Sequence, residues 1–273
     1  MDSRNPVLSR AGQYAGFHEP GATSPAAAAA AGGAATDSMT AEQLQELYSQ
    51  PAATRGPTVK IDDVIVKTAG LFVILLAAAV VGWFIPVLAF PAMIIGLVLG
   101  LVNAFKKSVS PALVMAYALF EGVFVGGISA LFAANTDAPI VQQAVLGTLV
   151  AFGVMLTLYR SRIVKVNGRF KKMMLVALIS YGVIALASFV GALFGVGEGW
   201  GFYGVGGLGL LLCVAGVALA SFSLMLDFDA IEKSIAMGLP ERESWRLAFG
   251  LMVTLIWLYI EILRFLAILN SGD

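Results

Sequence analysis

The chain has 273 residues, of which 59% are hydrophobic and only 12% charged, with a formal net charge of zero. Soluble domains carry about 25% charged residues, so this surface cannot face water on all sides, and the mean hydropathy of +0.88 agrees. Zero net charge excludes a global basic field for nucleic acid. The single Cys213 excludes an intrachain disulfide, and the single His18 excludes hydrolases built on paired metal-binding histidines.

Residues 1–58 are rich in Ala, Gly, Pro, Ser and Thr and include the run Ala26–Ala31. They read as a disordered cytosolic tail with a short helix at Thr40–Tyr48. The chain does not open with a charged region followed by an apolar core, so no signal peptide is expected. Residues 59–273 read as one transmembrane domain. A span needs about 20 apolar residues, and seven are predicted: Val64–Phe84, Val87–Phe105, Ala112–Ala133, Ile140–Tyr159, Met173–Phe194, Leu208–Leu226 and Leu247–Leu269. The first two join tightly at Pro86. The runs are too long for barrel strands, so the predicted fold is all-α, a polytopic seven-helix bundle in contact with the lipid bilayer.

Basic residues set the expected orientation. Arg55, Lys60 and Lys67 flank the first span, and Lys106 and Lys107 follow the second. Arg160, Arg162, Lys165, Arg169, Lys171 and Lys172 fill the loop after the fourth, and Lys233, Arg242 and Arg246 lie between the sixth and seventh. All fall on one side, whereas the opposite loops carry Asp137 and Glu198 and no basic residue. The expectation is a multi-pass protein of the cell membrane, N-terminus cytosolic and C-terminus external.

Two motifs look catalytic and are better read as structure. Gly204-Val205-Gly206-Gly207-Leu208-Gly209 fits a dinucleotide fingerprint, but that fingerprint needs a preceding strand. A flexible turn entering a membrane helix is the better reading. Gly126-Gly127-Ile128-Ser129-Ala130 resembles a serine nucleophile beside glycines, yet no histidine lies in the spans and no lysine lies mid-span to take the proton. Gly122, Gly126 and Ala130 repeat every four residues, which suits close helix packing. The expectation is a protein that is not an enzyme and holds no resident cofactor.

Ionisable residues at membrane depth mark pathways or sensors. Glu121, Asp227, Glu261 and Arg264 qualify, with Asp229 nearer the cytosolic edge. Gly216, Ala220, Ser223 and Asp227 share one small, polar helix face, and Asp229 points about 200° away. Asp227 is therefore the better buried carboxylate, although both aspartates could simply cap the span. Gly250, Thr254, Trp257, Glu261 and Arg264 share a face of the last span, where Glu261 and Arg264 can pair at i, i+3. Glu121 has no basic partner in its own span. It must face the interior, find a donor there or hold a proton.

Three segments carry a resemblance: Phe120-Glu121-Gly122 through Gly126-Gly127-Ile128-Ser129, Leu226-Asp227-Phe228-Asp229-Ala230-Ile231-Glu232 followed by Gly238, and Trp257-Leu258-Tyr259-Ile260-Glu261-Ile262-Leu263-Arg264. Over about residues 60–270 the sequence resembles the Bax inhibitor-1 family, also called the transmembrane Bax inhibitor motif family, and its Ala-rich tail is similar to the bacterial branch. The resemblance implies a pH-sensitive calcium leak channel whose sensor is a pair of aspartates, one from each of the last two spans. Asp227 matches the first, as gate carboxylate and transient Ca2+ ligand. Thr254 stands at the second, and threonine does not titrate. Glu261 lies seven residues further on that face, about 10 Å away. Either Glu121 or Glu261 takes the missing part, or proton sensing is lost. Arg246 and Glu121 are the expected partners of Asp227. The implied partners are Ca2+ or protons. The competing reading is a non-conducting membrane protein that binds and regulates another, such as a membrane protease. An intramembrane aspartyl protease would need aspartates at depth in two spans, and only the sixth supplies any.

Overall fold

The computed structural model describes residues 56–136, 138–199, 201–204 and 206–270. The stretch read as a tail, with His18 and the short helix expected at Thr40–Tyr48, lies outside the described residues up to Arg55, as does Asp137. Seven helices follow: α1 (Ile61–Phe84), α2 (Ala89–Phe105), α3 (Pro111–Ala133), α4 (Ile140–Arg160), α5 (Gly168–Leu193), α6 (Gly206–Ala236) and α7 (Ser244–Asn270). Each, with α2 counted from Pro86, is long and apolar enough to cross a membrane, and among the described residues the only β-pairing is the isolated bridge between Thr58 and Pro240. The protein is a multi-pass, all-helical membrane protein.

Local chemistry sets the ends. The Asp63 carboxylate accepts from the Lys60 N–H at 3.0 Å where α1 starts. Pro86 opens the 3-10 turn Pro86–Leu88 between α1 and α2, and Pro111 takes the first turn of α3, where a missing N–H costs nothing. Asn167 Oδ1 accepts from the Phe170 N–H at 2.8 Å to cap α5. At the end of α6, Gly238 adopts φ +61°. The Gly238 and Leu239 N–H groups then return to the carbonyls of Ile235 and Ser234 at 3.0 and 3.1 Å, a Schellman closure.

The helices agree with the predicted spans except in α5 and α6. α5 begins at Gly168 instead of Met173, and α6 runs to Ala236, ten residues past the predicted Leu226. The apolar window stops at the first charges, but the helix does not, because Lys171, Asp229 and Lys233 pair with one another at its emerging end. Asp227 therefore lies inside a continuous helix and does not cap it. A second difference concerns the glycine-rich stretch before α6. It forms two 3-10 turns, Val196–Gly199 and Gly201–Gly204, fixed to α5 where the Phe202 N–H donates to Ser188 Oγ at 2.9 Å.

α7 occupies the centre. Ala248, Met252 and Ile256 pack with Leu71 and Leu75 of α1 and Val114, Tyr117 and Ala118 of α3. Leu251 and Leu258 pack with Met155 of α4 and Leu224 and Phe228 of α6, and Leu263 and Ala267 pack with Phe132, Ile140 and Ala144. Lipid is as apolar as leucine, so close packing rather than the hydrophobic effect must hold such helices together. α1 and α3 show how: a Cβ at Gly82, Gly122 or Gly126 would strike backbone atoms of the facing helix. α4 and α5 bury the smallest share of their residues and show most of their surface to the bilayer. Before α1, the Val59 N–H donates to Leu239 O at 2.9 Å and the Glu241 N–H to Pro57 O at 2.8 Å. These bonds lash the entry of the first helix to the α6–α7 loop, so the stretch through Thr58 is not all free tail.

Candidate functional site

α6 and α7 are antiparallel, and their small, polar faces meet in register. A Cβ on Gly216 would meet Glu261, and a Cβ on Gly250 would lie 3.6 Å from Asp227 Oδ1. Gly216 to Asp227 and Gly250 to Glu261 are the same eleven-residue step, about 16 Å. The seam thus carries two polar stations, one near the end with the basic loops and one near the other end.

At the first station Asp227 sits over the missing side chain of Gly250. The buried Thr254 faces it from α7. Thr254 Oγ1 lies 3.2 Å from its own helix's Gly250 carbonyl, and its single proton serves one acceptor at a time. Asp227 Oδ2 is buried and has no hydrogen-bond partner. The other such side-chain oxygen among the described residues is Thr68 Oγ1 on α1. Val64 of α1 packs with Ile231 of α6, so one turn deeper on these antiparallel helices brings Thr68 and Asp227 to the same level. A buried carboxylate without a cation is costly, which marks this station as the unusual one.

Asp229, two residues on, faces α5. Its Oδ2 lies 2.5 Å from Lys171 Nζ and 2.7 Å from Lys233 Nζ. Its charge is thereby matched, whereas Asp227 keeps a buried oxygen without a partner.

The second station is a closed network. Glu261, 3% exposed, accepts from Tyr181 Oη at 2.8 Å, Trp257 Nε1 at 3.1 Å and Arg264 Nη1 at 3.3 Å. Tyr203 Oη lies 2.7 Å from Tyr181 Oη, and the Arg264 guanidinium sits 4.1 Å above the Tyr203 ring. The i, i+3 ion pair is formed as the spacing predicts. Tyr181, from α5, and Tyr203, from a 3-10 turn, carry no signal in the sequence that ties them to Glu261.

Two expected partners of Asp227 point elsewhere. Arg246 Nη2 donates to the carbonyls of Lys107 at 2.7 Å and Lys106 at 3.3 Å, and its Nε pairs with Glu243 at 3.3 Å. Its guanidinium is drawn to the α2–α3 loop because those carbonyls have no helical partner. Glu121 is half-buried against Gly96 of α2, with the Tyr117 hydroxyl as its hydrogen-bond partner. Ser129 Oγ lies 2.6 Å from the Val125 carbonyl and 2.7 Å from Tyr259 Oη, the arrangement of a helix-packing hydroxyl. Among the described residues, no three His, Cys, Asp or Glu side chains gather as a metal-holding group.

The family model described as Bax inhibitor 1 like matches residues 5–271, which takes in the N-terminal stretch as well as the spans. No curated protein matches the chain.

Proposed function

The chain belongs to the Bax inhibitor 1 like family, and from that premise we propose that it is a pH-sensitive leak pathway for cations, Ca2+ foremost, controlled by Asp227. The observation that carries this reading is the buried, unpartnered Oδ2 of Asp227 facing α7 at Gly250 and Thr254. Protonated, Asp227 takes its charge out of the seam and the two helices close over it. Ionised, it draws water and cations, which favour oxygen ligands. Ca2+ in this reading is the permeant ion, held briefly by one carboxylate. Thr254 leaves Asp227 without the second carboxylate of a paired site. Glu261 is not its replacement in this reading, because its Oε1 already accepts from Tyr181, Trp257 and Arg264 and its Oε2 lies 3.4 Å from Arg264 Nη1. The reading assigns no catalytic role to Ser129 and places the basic loops in the cytosol and the C-terminus outside the cell membrane.

The test is Ca2+ flux through the purified full chain in liposomes, between about pH 5.5 and 8.5. Asp227→Asn keeps the shape and removes the charge, so flux is expected to stay at its low-pH level throughout. A 1.4 kcal/mol change in the closed-to-open balance corresponds to about tenfold in population. Asp229→Asn is expected to do less. Thr254→Asp restores two facing carboxylates that share a proton, and is expected to steepen the pH response. Equal flux for wild type and Asp227→Asn at every pH would remove Asp227 from the mechanism and favour the non-conducting, partner-regulating reading.

A further inference from the structure

Away from the α6–α7 seam, a groove of about 520 Å3 runs between α5 and α6 at the end of the bundle that carries the basic loops. Its mouth is lined by Lys171 from the first turn of α5 and Lys233 from the last turn of α6, with Asp229 between them. Its walls descend along Leu175, Leu178 and Leu226. Leu175 is 59% exposed, as are its neighbours Val176 and Ile179 to a similar degree, so this side of α5 faces the bilayer.

Charge and shape together say what fits. Two ammonium groups share the single oxygen Asp229 Oδ2, so the cluster keeps one positive charge in excess. Each ammonium has three N–H donors, and the carboxylate takes one from each. An anion with several acceptor oxygens would use those left over. An inorganic anion would fill only the mouth of a groove this size, which is within the range of sites that hold whole organic ligands. The deeper part is apolar and opens to lipid. The groove is therefore charged where helices leave the membrane and apolar where they enter it, which is the polarity of a lipid molecule.

We propose that this groove binds one anionic glycerophospholipid, its phosphate between Lys171 and Lys233 and an acyl chain along Leu175, Leu178 and Leu226. The site rests on Asp229 and its two lysines, and it stands or falls independently of the role of Asp227.

The full chain, delipidated in a neutral detergent, is titrated with phosphatidylglycerol and with phosphatidylcholine of the same acyl chains, and binding is followed by the shift in thermal unfolding. Wild type is expected to bind phosphatidylglycerol the more tightly. Lys233→Gln removes the surplus charge and leaves the Lys171–Asp229 pair whole, so it should weaken phosphatidylglycerol about fivefold and leave phosphatidylcholine unchanged. Lys107→Gln removes the same charge from another loop and should keep the preference. Leu175→Trp, on an exposed face, should weaken both lipids by filling the wall. Equal binding of the two lipids by wild type would overturn the proposal, as would an equal loss in Lys107→Gln or an unaltered preference in Lys233→Gln. Stabilisation by inorganic phosphate matching that by phosphatidylglycerol would overturn the assignment to a lipid.

Discussion

Asp227 and Asp229 stand two residues apart on one helix and have opposite surroundings, because each residue turns the helix by about 100°. One faces the small residues of α7 with an unpartnered oxygen, and the other faces two lysines. The Glu261 network is the opposite extreme, a carboxylate whose Oε1 takes three donors. Interhelical hydrogen bonds in membranes are modest, so Tyr181→Phe is expected to cost about 1 kcal/mol. Glu261→Gln turns charge-assisted bonds into neutral ones and leaves Arg264 without its counter-ion, and about 2 kcal/mol is expected. Unfolding of both variants in mixed micelles measures the difference. No cost for Glu261→Gln would mean that the charge of Glu261 contributes nothing beyond its shape.

At the scale of elements, the packing of α1 on α3 depends on absent side chains. A Cβ at Gly126 would strike the Ala79 backbone, whereas a Cβ at Gly182 of α5 meets nothing within 4 Å. Gly126→Ala is therefore expected to force the helices apart at a cost of about 1–3 kcal/mol. Gly182→Ala is expected to be neutral or to stabilise by about 0.5–1 kcal/mol, since alanine holds a helix better than glycine. The same micelle unfolding distinguishes them, and a harmless Gly126→Ala would show that α1 and α3 are not in close contact. The repeat Gly122, Gly126, Ala130 announces such a face in the sequence, but not which helix it meets. The long α6 was less legible. Hydropathy sees Asp227 and Asp229 as an ending, because it does not see that Lys171, far off in the chain, neutralises one of them.

Over the whole molecule, seven helices able to cross a membrane and the one-sided basic loops are what support the orientation proposed above. A reporter fused after Asp273 that works only outside the cytosol is expected to be active, and one fused in the Arg160–Lys172 loop silent. The reverse pair of results would invert the bundle, and two silent reporters would put the count of crossings in error by one. α7 touches most of the other helices while α5 leans on α6 and the 3-10 turns. The Tyr181–Glu261 hydrogen bond joins the peripheral helix to the centre, which a list of spans does not reveal.

The sequence by itself determined the class of protein, the seven helices and their approximate bounds, the family, and the residues that share a face with Asp227, Thr254 and Glu261. These follow from hydropathy, from motifs and from the 100° step of a single helix, all properties of chain segments taken alone. Only the tertiary structure decided which carboxylate is left without a partner, that Arg246 turns to the α2–α3 loop, and that Tyr181 and Tyr203 close over Glu261. Those are contacts between segments distant in the chain. They depend on which glycine stands opposite which carboxylate when two helices meet, and the register of one helix against another is not encoded in either helix by itself.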